Sequence, residues 1–223
     1  MNDNINTDTT NTTVPAPKEP SPVRLIATLS LAGLLSGLII VGVYELTLPT
    51  ILAHQAKMLR QAVLKVLPGA VSAQRLAWRD GKFVADEKGP KDEPAIFEAF
   101  AADGKRIGYA IPGAGPGFQD IISLLYGYRP QEERIVGMQI LDSRETPGLG
   151  DKIYKDPAFQ ANFRSLAIKP EGKEGVIKTV KKGTKSAPHE VDAITGATIS
   201  SKAVVRIINE TNDIWLSRLP ATE

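Results

Sequence analysis

Leu25 to Tyr44 reads LIATLSLAGLLSGLIIVGVY, a run without one charged side chain. At about 1.5 Å of rise per residue it spans a hydrocarbon core of about 30 Å as a helix. The run is longer than the apolar core of a cleaved signal peptide, about 15 residues, and it follows a long, weakly charged leader. A transmembrane anchor over residues 24–45 is therefore expected, with a signal peptide as the competing reading. Residues 1–22 are rich in Asn, Thr and Pro and contain, beyond Ala, only Met1, Ile5 and Val14 as apolar residues. Such a segment buries too little surface to offset chain entropy, so residues 1–23 read as a disordered tail. Lys18 and Arg24 before the run balance Lys57 and Arg60 after it, so the positive-inside rule chooses no orientation.

Past Pro49 the apolar residues Ile51, Leu52, Met58, Leu59, Ala62, Val63, Val66 and Leu67 keep helical spacing as far as Pro68-Gly69. Residues 46–70 read as a juxtamembrane helix whose stripe packs on the following domain or lies on lipid head groups. Residues 71–223 have the length of one domain. From Arg75 to Leu141 the period shifts towards two, and Asp80-Gly81, Asp103-Gly104 and a Gly-Pro-rich connection from Pro112 to Gly117 punctuate it. Strands are expected around Phe83, Ile96–Phe100, Ile107–Ile111, Ile121–Tyr126, Ile135–Leu141 and Val176–Val180. A helix over Pro157–Leu166 is expected to present Phe159 and Phe163 on one side. The order predicts an α+β fold, a mostly antiparallel sheet with flanking helices, and no Gly-x-Gly-x-x-Gly string marks a dinucleotide site.

Absent residues narrow the chemistry. With no Cys, there are no cysteine-ligated iron–sulfur clusters, thiolate nucleophiles or Cys-x-x-Cys-His haem attachment. His54 and His189 are the only histidines, too few for a His-based metal site. His189, three residues before the motif described next, reads as a neighbour of whatever that motif binds or as a surface turn residue. Any electron transfer must therefore use an organic cofactor. A formal net charge of +2 gives no sign of nucleic acid as a partner.

The stretch Asp192-Ala-Ile-Thr195-Gly196-Ala197-Thr198-Ile-Ser200-Ser201 runs turn chemistry into a helix, with apolar residues at Ile199, Ala203, Val204, Ile207, Ile208, Trp215, Leu216 and Leu219. Thr198 reads as its N-cap, Ser200 and Ser201 as polar first-turn residues, and the helix end as a place that favours an anion. By itself the string means a capped terminal helix. The fuller pattern Asp-x-x-[Ser/Thr]-Gly-Ala-Thr-x-[Ser/Thr] resembles the covalent flavin acceptor motif of the FMN-binding domains in Rnf and sodium-translocating quinone reductase complexes. Glu145-Thr146-Pro147-Gly148-Leu149-Gly150 matches that family's second hallmark, and Gly117-Phe118-Gln119 is similar to its Gly-Tyr-Gln string. With the N-terminal anchor, the chain is similar to the family of G subunits of Rnf (Rsx) complexes. The C subunit of the quinone reductase and a stand-alone membrane-tethered FMN-binding protein are the alternatives.

The resemblance implies FMN attached to Thr198 through a phosphoester, with Asp192, Thr195, Gly196 and Ala197 around it. Thr195 stands where the family more often has Ser. Glu145, Thr146, Leu149 and Gly150 are then expected to line the flavin, and Gly148, Gly150 and Gly196 to let backbone approach it. The role implied is a redox subunit of an ion-translocating oxidoreductase, with no catalytic residue, metal or complete active site of its own. Implied partners are other membrane subunits of the Rnf complex, a flavin transferase during maturation, and membrane lipid. The implied location is the bacterial inner membrane, with the tail in the cytoplasm and the C-terminal domain outside it.

Overall fold

A computed structural model describes residues 21–86, 89–90, 93–168 and 176–220; the tail expected over residues 1–23 falls outside these up to residue 20. The chain forms two units, one ending at Ala53 and one starting at His54, and helix α1 (Pro22–Val66) contributes to both.

In the first unit, the most apolar 18 residues within Pro22–Ile51 have a mean hydropathy of 2.3, and none of that stretch is buried. Leu29, Leu34, Leu38 and Ile40 all stand exposed around the helix. A helix apolar all round and unburied suits lipid, whereas a core helix would be covered. Two of its threonines bond back along the helix: the Thr28 hydroxyl donates to the Arg24 carbonyl, and the Thr47 hydroxyl to the Val43 carbonyl at 2.8 Å.

The second unit is built on an antiparallel sheet of β1 (Ser72–Arg79), β2 (Lys82–Ala85), β3 (Ala95–Phe100), β4 (Arg106–Pro116), β5 (Ile121–Arg129), β6 (Arg134–Asp142) and β7 (Leu166–Ala167). Their order across the sheet is β2-β1-β3-β4-β5-β6-β7. Asp80 and Gly81 join β1 to β2 with φ of 49° and 77°, the left-handed pair that a two-residue hairpin of this twist requires. The expected strands are all present, and the fold is α+β.

Both faces of the sheet are covered, by different means. One face carries aliphatic residues and no aromatic one among its buried set: Ala99, Ala110, Leu125 and Val136 meet Ala62, Val63, Val66 and Leu67 at the end of α1. A Cβ on Gly127 or Gly137 would collide with the Val66 carbonyl, so the helix end rests on strand backbone. The packing reading of the juxtamembrane stripe thus holds for its last two turns. The other face carries large side chains, among them Tyr109, Ile111, Leu124, Tyr126 and Ile135, packed under α4 (Thr198–Trp215) through Val204, Ile207 and Ile208.

Three expectations change. The Gly-Pro stretch Pro112–Gly117 is no free connection, because β4 continues through it to Pro116, paired with β5 from Pro112↔Leu125 to Pro116↔Ile121. Its glycines serve packing: Cβ atoms on Gly113 and Gly115 would stand 3.0 and 2.9 Å from Ile207 of α4. The helix expected over Pro157–Leu166 divides into α3 (Pro157–Ala161), a 3₁₀ turn (Asn162–Arg164) and β7, after a short α2 (Lys152–Lys155). Asn162 explains the break, since its side chain donates to the Phe159 carbonyl at 3.1 Å and accepts from the Asp192 N–H at 3.1 Å. Phe159 and Phe163 still meet edge to face at 5.3 Å. Finally, β8 (Lys178–Val180) pairs in parallel with β9 (Glu190–Asp192), a strand that ends where the Asp192 motif begins.

Candidate functional site

Three segments meet at the start of α4: the end of β4 with the loop into β5 (residues 117–121), the turn after β6 (143–151), and residues 194–201. Glu145 binds them together. It is only 5% exposed, yet one carboxylate oxygen accepts from the N–H groups of Phe118 at 2.9 Å and Gln119 at 3.0 Å, and the other accepts from the Ser200 hydroxyl. Burial alone would raise its pKa, but the Ser200 hydroxyl and the backbone N–H groups of the 118–120 loop outweigh that and hold the carboxyl below the usual carboxylate range. Thr146 adds a hydroxyl bond to the Gln119 side-chain carbonyl at 3.1 Å. A Cβ on Gly150 would stand 2.7 Å from the Glu145 carboxylate and 2.9 Å from the Ser200 hydroxyl, so only glycine fits there.

Asp151 follows, 3% exposed, with one oxygen bonded to Lys155 Nζ at 2.6 Å; that ammonium group keeps its carboxyl low. Its other oxygen, Oδ1, is buried with no partner at hydrogen-bonding geometry among the described residues, and the Gly148 N–H also helps to keep the carboxyl low. Ile153, next in line, is core.

The first turn of α4 differs from its sequence reading. Thr198 is the first helical residue, and the cap position belongs to Ala197, with φ −134° and ψ 37° and no side-chain cap. Ser201 does the fastening from inside: fully buried, its hydroxyl accepts from the Ile194 N–H at 3.1 Å and donates to the Ala197 carbonyl at 2.8 Å. Ser200 points down to Glu145. Both expected polar first-turn residues are buried, because they sit on the helix face that continues through Ala203, Val204 and Ile208. Thr198 is exposed, and its hydroxyl has no hydrogen-bond partner among the described residues. The N–H groups of Thr198, Ile199 and Ser200 likewise donate to no acceptor among them. Unmet N–H groups and the helix dipole make this the electropositive end of α4.

The remaining expected residues spread over this region. Ala197 is buried and Gly196, with φ 82°, is exposed beside Leu149, whose Cδ2 lies 3.6 Å from where a Cβ on Gly196 would be. Leu149, Ile199 and Phe118 are 49%, 57% and 64% exposed, one large apolar side chain turned to solvent from each of the three segments that meet at the start of α4. Helical spacing counts Ile199 in the apolar stripe, but it faces out instead. Thr195 is exposed at the edge of an open cleft of about 440 Å³ that Lys152, Lys155, Lys182, Asp156, Pro157 and Ile194 also line. Asp192 is spent on structure: its carboxylate accepts from the Lys185 N–H at 3.1 Å. The His189 carbonyl accepts from the Lys178 N–H at 3.0 Å, which makes this histidine part of the β8–β9 pairing. Among the described residues no cluster could hold a metal ion.

A phosphate-linked planar group fits this arrangement. Thr198 offers a free oxygen, the helix end offers unmet donors for a phosphate, and the exposed apolar side chains offer a face for a ring system. Sequence reasoning does not find Ser200 and Ser201 as interior residues, Gln119 as a partner of Thr146, or Asn162 as the tie to β9. The α4 periodicity carries the signal for the two serines, since Ser200 and Ser201 stand three and four positions before buried Ala203, Val204 and Val205.

Residues 117–212 match the family model described as the FMN-binding domain. The G subunit of the ion-translocating oxidoreductase complex of Haemophilus influenzae (strain PittEE) is 31% identical over 180 residues, covering 79% of this chain and 82% of that protein. The G subunit of the Na⁺-translocating ferredoxin:NAD⁺ oxidoreductase complex of Acetobacterium woodii is 30% identical over 154 residues, covering 68% of this chain and 70% of that protein. Among solved structures, the C subunit of the Na⁺-translocating NADH-quinone reductase from Parabacteroides distasonis superposes with a TM-score of 0.61 at 22% identity, covering 76% of this chain and 94% of that one. That likeness speaks for the fold alone. With relatives of such identity matched over more than two thirds of their length, the chain belongs to the family of G subunits of ion-translocating oxidoreductase complexes, electron-transfer flavoproteins of the Rnf type.

Proposed function

We propose that this chain, the flavoprotein of an Rnf-type complex, is anchored in the membrane by residues 24–45 and carries FMN esterified to Thr198. The observation that carries the reading is the state of the three hydroxyls in the first turn of α4. Those of Ser200 and Ser201 are buried and bonded, while that of Thr198 is exposed and unengaged beside unmet N–H groups. Bound FMN supplies one- and two-electron chemistry through its ring. The electropositive helix end would hold its phosphate, Leu149, Thr146, Thr195 and the backbone at Gly196 and Ala197 would shape the surface beside it, and Gly150 would act from beneath by leaving room for Glu145. Asp192 acts at a distance by fixing the loop at Lys185. In the attachment step the Thr198 Oγ1–P bond forms and the diphosphate of an FAD donor breaks. AMP leaves and takes up the hydroxyl proton. A flavin transferase carries out this step on the extracytoplasmic side, so residues 46–223 lie outside the bacterial inner membrane and the tail lies within the cytoplasm. Residues 24–45 meet lipid and other membrane subunits of the complex.

The test is an intact-mass spectrum of the full chain after co-expression with the transferase. Wild type and Thr198→Ser are expected to gain the mass of FMN less water, and Thr198→Ala is not. Because the Thr198 hydroxyl caps nothing, the stability of the alanine variant is expected to stay within about 0.5 kcal/mol of wild type, as for a neutral surface change. Flavin retained covalently in Thr198→Ala sinks the assignment.

A further inference from the structure

Three donors converge on Glu145 from two separate segments, the N–H groups of Phe118 and Gln119 from one and the Ser200 hydroxyl from the other. A carboxylate alone among side chains accepts all of them at once, because an amide would present its NH₂ to one side. The loop from 117 to 121 is also tied to the turn after β6 by Thr146–Gln119 at 3.1 Å and by Arg144–Asp120 at 3.8 Å. Ser200 is the point at which this assembly reaches α4, two residues past Thr198. We infer that Glu145 is a positioning residue that, through Ser200, fixes the Thr198 hydroxyl relative to the Phe118 loop, an inference that rests on the reading of Thr198 as the attachment residue. The two segments and the turn that carries Glu145 then present one surface, with the phosphate end on α4 and exposed apolar side chains from Phe118 and Leu149 beside it. Glu145 touches no cofactor in this role. It lies beneath the site and acts by holding two of its walls in register, and Gly150 is the space that lets it do so.

The link can be cut without removing the carboxylate. Ser200→Ala leaves both loop N–H bonds in place and severs only the bond to α4, whereas Glu145→Asp, one methylene shorter, cannot span both segments. The unloaded full chain in detergent is incubated with flavin transferase and FAD, and attachment is followed by mass. Ser200→Ala is expected to attach flavin roughly tenfold to a hundredfold more slowly than wild type, as small misplacements of a reacting group do, and to change the visible circular dichroism of the attached flavin. Amide exchange at Phe118 and Gln119 in the unloaded chain is expected to stay at the native rate in Ser200→Ala and to rise roughly tenfold in Glu145→Asp, the effect of losing one net hydrogen bond. Attachment at the wild-type rate with unchanged dichroism in Ser200→Ala overturns the positioning role. Native exchange at both amides in Glu145→Asp overturns the tie itself. Flavin found on a residue other than Thr198 overturns the underlying reading, and the exchange rates, which need no flavin, then judge the tie alone.

Discussion

The underside and the upper side of the site are made from the same short segments, and they obey opposite rules. Below, Glu145, Ser200 and Ser201 are at most 5% exposed and their polar side-chain atoms are spoken for. Above, Thr198, Ile199, Leu149 and Phe118 are exposed, with a free hydroxyl, unmet N–H groups and uncovered apolar surface. A layer whose bonds are complete specifies a geometry, and a layer whose bonds are open is what a ligand completes. The comparison predicts that substitutions below act on folding first, and substitutions above act on the cofactor with folding left intact.

The largest effect should come from filling the space between the layers. Gly150→Val drives a branched side chain against Glu145 and Ser200, and is expected to lower the unfolding free energy by about 3 kcal/mol in denaturant titrations of the full chain in detergent. A loss under about 0.5 kcal/mol, the range of an ordinary surface change, would mean that the lower layer yields easily, and the contrast with the upper one would collapse. A smaller effect concerns acid. The folded pKa of Glu145 lies below its ordinary value, so its contribution to stability is fully present above the usual carboxylate range and is lost as pH falls through the lowered folded pKa. Glu93, Asp151 and Glu190 are shifted the same way and share this acid limb. Glu145→Gln should therefore flatten the fall of the unfolding midpoint with decreasing pH without abolishing it, and an unchanged slope would show that the buried carboxylate is not held ionised by its donors. The smallest effect on stability belongs to the upper layer. Ile199→Ser is expected to stay within about 0.5 kcal/mol of wild type while shifting the absorption of the bound flavin, so a large loss of stability there would place Ile199 in the core after all.

Much of the scaffold is legible in the sequence because its signals are local. Alternation with turn dipeptides gives away the strands, and Asp80-Gly81 could hardly mean anything but a tight hairpin. What escapes depends on distant partners. Gly113 and Gly115 look like loop residues until Ile207 is seen against them, and β9 is too short for any period to show. The site divides the same way. Its residue types can be recognised in two motifs, but depth cannot: Glu145 reads as a residue lining the flavin and not as the buried tie between segments, and a string of three hydroxyls does not say which one faces out. Thr198 reads as a cap because capping is the commonest use of such a residue beside a helix start. Ser201 braces the turn from within and leaves the first-turn N–H groups open.

Thr198 stands in the open, with no wall enclosing it on the solvent side. Ligand sites that rely on reversible binding usually bury most of their ligand, and their filling follows the free ligand concentration. On the proposed esterification of Thr198, such an exposed attachment point would be filled once, during maturation, and would thereafter ignore how much flavin the surroundings hold. Occupancy would then record the history of each molecule, and a population of chains would be mixed only to the extent that some were never processed.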